Sequence, residues 1–144
     1  ENPEQMAQWR DNPHMDMEAS KELMRWVSPV RHMVRTATDD LELRGKKIKA
    51  GDNIALWFPA ANRDTEVITN PNQLDLKRDS KLHLAFGYGS HMCLGQHLAT
   101  MEVARFYREL LPRLKHIEMT TEPTWIHANF VGGLKSMPVR YQFR

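Results

Sequence analysis

The chain has 144 residues, 41% of them apolar, with 4 Trp, 3 Tyr and 5 Phe, which suffices for the core of one globular domain and excludes a disordered chain. Twenty Lys and Arg against 18 Asp and Glu leave a net charge of +2, too small an excess to predict binding to nucleic acid or to a membrane surface. The single cysteine excludes an internal disulfide, and no run of ~18 apolar residues is long enough to span a bilayer. The opening ENPEQMAQWR reads as neither a signal nor a transit peptide, so a reducing, cytoplasmic setting is expected. A start at Glu1 without methionine suggests that preceding residues lie outside this chain.

Residues 3 to 10, PEQMAQWR, predict a short helix that ends at the DNP of 11 to 13, and a second helix is expected from about Asp16 to Val27, stopped by Pro29. From Val30 to Phe58 the texture becomes β-branched, with hairpin turns expected at Arg44-Gly45-Lys46 and at Lys49-Ala50-Gly51-Asp52. Pro59 to His83 is rich in Asn, Asp and Pro and reads as a long ordered loop with one helical turn. From Leu94 to Leu114 the apolar positions Ala99, Val103, Phe106, Leu110 and Leu114 recur at helical spacing, widened by Leu94, Leu98, Tyr107 and Leu111, which predicts a largely buried helix. Gly132-Gly133, between TWIHANFV and LKSMPVRYQF, predicts a C-terminal hairpin.

The only cysteine sits in FGYGSHMCLG, residues 86 to 95. Gly87, Gly89 and Gly95 let the backbone turn tightly and let a flat, bulky group approach it. At the start of the expected helix, Cys93 meets unpaired N–H groups and the positive end of the helix dipole, which favour a thiolate. Such a thiolate is a metal ligand or a nucleophile; a buried structural cysteine is the plainer alternative. His91, Cys93 and His97 invite a zinc reading, but zinc generally takes four ligands, and His97 lies one turn into the helix.

The spacing Phe86-x-x-Gly89-x-His91-x-Cys93-x-Gly95 resembles the haem-binding loop of the cytochrome P450 family at every defining position. The resemblance implies a mainly α fold with small β-sheets (α+β), with haem b bound and Cys93 as the axial iron ligand and catalytic thiolate, which pushes electron density onto the iron. It implies that Phe86 packs beside the ligand sulfur, that Gly87, Gly89 and Gly95 shape the loop, and that His91 and Arg35 contact haem propionates. Glu22 and Arg25 in KELMR resemble the family's Glu-x-x-Arg pair, with Arg78 as the third member of the cluster.

FGYGSHMCLGQHLA, ANRDTEV, LLPRLK and NFVGGLKSMPVR resemble the bacterial branch that hydroxylates monoterpenes such as camphor and terpineol. That branch takes electrons from a [2Fe–2S] ferredoxin and its NAD(P)H-dependent reductase, for which Arg105 and Arg108 offer a basic surface. The substrate is then a small apolar molecule, and Val30, His32, Met33, Phe130 and Val131 line its pocket. Because the family's chains are much longer, residues 1 to 144 are expected to be the C-terminal portion, to be completed by an N-terminal part of the same protein. The oxygen-activating distal helix is absent from it: TATDD and RDTE stand in strand or loop context. The function implied is a haem-thiolate monooxygenase; the alternative is a truncated haem-binding module without turnover.

Overall fold

Proline at the first turn starts helix α1, Pro3–Asp11, where its missing N–H costs nothing. The computed structural model describes residues 2–144. After a 3-10 turn at Pro13–Met15 comes helix α2, Asp16–Val27, whose C-cap Ser28 is left-handed at φ 43 and gives its N–H to the Met24 carbonyl. Trp9 of α1, Ala19 of α2, Leu76 and Leu111 form the core, with Leu23, Val103 and Tyr107 packed around them. The Trp9 and Tyr107 rings stand 4.7 Å apart. Burying a large apolar side chain contributes about 1.5–3 kcal/mol, so this small core ties three helices together.

Strand β1, His32–Thr36, and strand β4, Asn53–Trp57, form one antiparallel pair; β2, Leu41–Leu43, and β3, Lys46–Ile48, form another. Arg44 (φ 48) and Gly45 (φ 76) make the β2–β3 turn with the two positive φ values a tight hairpin requires, and Lys46 already belongs to β3. The expected second hairpin at Lys49–Asp52 is a turn, closed by the Lys49 N–H on Asp52 Oδ2 at 2.8 Å, but it joins strands of different sheets. The edge of β4 is taken by β1, whose pairing continues through Ala37 to Gly51 and Asp52.

Residues 59 to 83 are largely irregular, bracketed by the short helix α3, Phe58–Ala61, and a 3-10 turn at Ser80–Leu82. Helix α4 runs from Gln96 to Arg113, two residues later than the periodicity suggests, because Leu94 and Gly95 form a turn and Gly95 is the N-cap. Its expected burial is only partial. Thr100, Ala104 and Leu111 are buried, whereas Leu98, Met101 and Phe106 are about half exposed, since no element among the described residues covers their side of the helix. Leu114 leaves the helix for β5, Leu114–Met119, which pairs with β8, Val139–Phe143. Strands β6, Thr124–Trp125, and β7, Leu134–Ser136, form the C-terminal hairpin across the double glycine. Among the described residues, no helix is long and apolar enough to cross a membrane.

Candidate functional site

The deepest charges of the molecule lie on one face of α2. Glu22 and Arg25 are one turn apart and face each other in a bidentate pair, both contacts at 2.7 Å, with side chains no more than 1% exposed. Arg25 also donates to the carbonyls of Asn62 at 2.8 Å and Pro71 at 2.9 Å. Glu22 accepts from Ser80 Oγ at 2.6 Å, from the Asp75 amide at 3.2 Å and from Arg78 Nε at 3.2 Å. Burial presses the Glu22 carboxyl upward more than any other single influence, but hydrogen bonds from Arg25, Ser80 and Asp75 together outweigh it and hold its pKa below the ordinary range. Arg78 fastens the carbonyls of Thr69, Asn70 and Gln73. The long irregular segment is thus pinned onto α2 through its backbone.

The cysteine loop is built by backbone geometry. Gly87 (φ 76) and Gly89 (φ 73) take conformations that a side chain resists, and the Cys93 N–H donates to the Phe86 carbonyl at 2.9 Å. Gly95 has an ordinary φ of −84, and a Cβ there meets only Cys93 Sγ, at 3.9 Å. Among the described residues nothing demands glycine at 95, and its missing side chain leaves space beside the sulfur. Cys93 is exposed and stands two residues before the N-cap rather than within the first turn of α4. Leu94, fully exposed, begins an uncovered apolar row continued by Leu98 and Met101 at helical spacing. His91 is exposed at the rim, and the half-buried Phe86 ring lies 5.7 Å from that of His83. A cleft of about 310 Å³ beside the loop is lined by Met17, Phe86, Tyr88, Met92 and His97 among others. Among the described residues, no three His, Cys, Asp or Glu side chains converge to hold a metal ion.

The five pocket candidates fall in two places. Val30 forms a bridge with Val131, the Arg31 amide donates to the Phe130 carbonyl at 2.8 Å, and the His32 ring meets Phe130 edge-on at 6.2 Å. His32 also stacks on Trp57, and its Nδ1 is buried without a hydrogen-bond partner. Met33 lies on the opposite face of β1, because side chains alternate along a strand, and shares that face with Arg35. The Arg35 guanidinium is exposed and donates to the Val34 carbonyl at 2.9 Å; among the described residues no hydrogen bond or ion pair joins it to the cysteine loop.

Arg105 is exposed, but Arg108 is engaged: its Nε lies 2.6 Å from Asp16 Oδ2, and Asp16 in turn accepts from Trp9 Nε1 at 2.8 Å. Arg108 therefore ties α4 to the start of α2. Three residues to which the sequence reading gives no role stand between the Glu22–Arg25 pair and the cysteine loop: Asn62 bonds Ser28, Ser80 bonds Glu22, and His83 accepts the Ala85 amide. Asn62 stands inside the ANRDTEV segment, but no spacing or charge pattern distinguishes it, because its partners lie 34 and 22 residues away in the chain.

A family model described as cytochrome P450 matches residues 4–143. Cytochrome P450-terp of Pseudomonas sp is 48% identical over 140 residues, which make up 97% of this chain and 33% of that protein. Methyl-branched lipid omega-hydroxylase of Mycobacterium tuberculosis is 40% identical over 141 residues, 96% of this chain and 33% of that protein. The crystal structure of CYP108D1 from Novosphingobium aromaticivorans superposes with a TM-score of 0.91 at 40% identity, covering 99% of this chain and 34% of that one. The chain thus spans about a third of the length of the curated relatives it matches.

Proposed function

The chain belongs to the cytochrome P450 family, whose proteins bind haem b, and from that we propose that it is the haem-bearing portion of a monooxygenase acting on a small apolar substrate. Its residues fit the group. Cys93 offers an exposed sulfur, Leu94, Leu98 and Met101 offer exposed apolar surface, and Arg35 carries an exposed guanidinium with no acidic partner among the described residues. In this reading Cys93 holds the iron, Phe86 packs beside the sulfur, Gly87 and Gly95 leave room for the ring, and His91 and Arg35 take its carboxylates by charge-assisted hydrogen bonds.

Bound haem supplies the oxygen chemistry, and a thiolate ligand favours O–O cleavage. One atom of O2 enters the substrate and the other leaves as water. The two electrons come from NAD(P)H through a reductase and a [2Fe–2S] ferredoxin, and the protons come from solvent. In this reading the reaction takes place in the cytoplasm. Val30, Val131 and Phe130 lie together beside β1 with His32 as a polar neighbour, and this mostly apolar surface suits a compact hydrocarbon, because each CH2 buried contributes ~0.8 kcal/mol. A monoterpene is the substrate class this supports, in line with the similarity to P450-terp.

The observation that carries the reading is the exposed Cys93 thiol, presented by a glycine-shaped loop just ahead of α4. The test is turnover of the complete protein under isotopic oxygen gas with ferredoxin, reductase and a monoterpene. The expected product carries one labelled oxygen. An unlabelled product, or product formed equally by the Cys93→Ser variant, overturns the reading.

A further inference from the structure

Asn62 is 1% exposed, and each polar group of its side chain is spent on a different element. Its Nδ2 donates to Ser28 Oγ at 2.8 Å, and Ser28 is the left-handed cap of α2, its own hydroxyl donating to the Arg25 carbonyl at 2.6 Å. Its Oδ1 accepts the Leu84 amide at 2.6 Å. Its backbone carbonyl accepts from Arg25 Nη1. Leu84 enters the cysteine loop: its carbonyl accepts the Gly87 amide at 3.0 Å, and the Phe86 carbonyl accepts that of Cys93. Hydrogen bonds joined by short backbone steps at Leu84 and at the Phe86–Gly87 peptide therefore lead from the buried Glu22–Arg25 pair, through Ser28 and one amide side chain, to the amide of Cys93.

We propose that Asn62 is a positioning residue for Cys93: it transfers the rigidity of the buried ion cluster to the cysteine loop and so fixes where the sulfur stands. The loop has few other anchors. Its own residues 88 to 95 are exposed, and Gly87 and Gly89 give it backbone freedom that something must remove. An amide suits the task because it donates and accepts at once, with neither function left unpaired in a buried place. This proposal rests on Cys93 as the haem ligand.

The test compares three variants of the complete haem-loaded protein: Asn62→Leu, similar in size but without hydrogen bonds; Asn62→Asp, which keeps the acceptor for the Leu84 amide; and Leu76→Ala, a core variant that removes stability elsewhere. The readout is the division of the reduced CO complex between the red-shifted thiolate form and the blue-shifted form that has lost it. Asn62→Leu shifts most of the protein to the blue-shifted form; Asn62→Asp, which keeps the Leu84 bond but loses the one to Ser28, shifts a smaller share; Leu76→Ala keeps the red-shifted one. A second readout is amide exchange. In the wild type, the Leu84 amide exchanges with solvent as slowly as amides of α2, and in any folded Asn62→Leu protein it exchanges about five- to tenfold faster. A division that is the same for Asn62→Leu and Leu76→Ala, or a wild-type Leu84 amide that exchanges as fast as the exposed loop, overturns the proposal. A wild-type holoprotein with no red-shifted band instead overturns the assignment of Cys93.

Discussion

The Glu22–Arg25–Arg78 cluster and the Cys93 loop lie at opposite extremes of completeness. In the cluster every charge is buried or nearly so, and its hydrogen bonds close on the chain's own carbonyls, amides and hydroxyls. In the loop the thiol is exposed, its neighbour Leu94 touches solvent over its whole surface, and the adjoining face of α4 shows Leu98 and Met101 uncovered. The first region satisfies itself and holds the fold. The second leaves apolar surface and a thiol uncovered by any of the described residues, as the proposed haem site requires. The stability and the chemistry of the protein are therefore expected to respond to different substitutions.

The widest separation comes from Arg25→Met set beside Cys93→Ser. Removing one member of a buried pair leaves Glu22 uncompensated and costs about 3–5 kcal/mol, whereas an exposed thiol is replaced within about 0.5 kcal/mol. Denaturant titration of the ligand-free protein measures both, and equal losses would erase the distinction. Phe130→Ala sharpens it on the ligand side. Monoterpene affinity should fall roughly tenfold through lost apolar contact, while longer substrates bind better, as read from the spin-state shift of ferric haem. Unchanged affinities would put Phe130 outside the pocket.

A smaller effect separates the two arginines of α4. Arg108→Ala breaks the contact with buried Asp16 and should cost ~1 kcal/mol, reduced by the partial exposure of the guanidinium. Arg105→Ala should leave stability alone and instead lower the rate of reduction by ferredoxin and its dependence on salt. Stopped-flow reduction at two ionic strengths decides whether that surface takes part.

Acid separates two stages. Burial holds His83 below the ordinary histidine value of 6.5, with Glu22 opposing and Arg25 and Lys21 adding to the shift. Its contribution to stability is therefore complete above that pH and is lost as pH falls through the lowered value. Glu22 contributes above its ordinary 4.5 and loses that contribution as pH falls through its own lowered pKa. Replacing His83 by Gln should flatten the upper stage and leave the lower one, as followed by the pH dependence of the denaturation midpoint.

Much of this was legible in the sequence where the signal is local. The first two helices, the Arg44-Gly45 turn and the C-terminal hairpin follow from Pro, Gly and apolar spacing over a few residues. The periodicity of α4 gave its type but not its burial, because an apolar stripe says that a face seeks cover and not whether this chain provides it. The strand at Leu114 was hidden because its register depends on β8, about 25 residues away. At the candidate site, Cys93 stands out through its glycines, whereas Asn62 and Ser80 gain meaning only when distant segments meet at α2.

The central claim, that Cys93 is the thiolate ligand of haem, is tested most directly by the absorbance spectrum of the reduced CO complex of the complete protein beside its Cys93→Ser variant. The account predicts a red-shifted Soret band in the wild type and its loss in the variant, with the fold retained. A variant that keeps the band, or a wild type that binds haem and CO without it, contradicts the account.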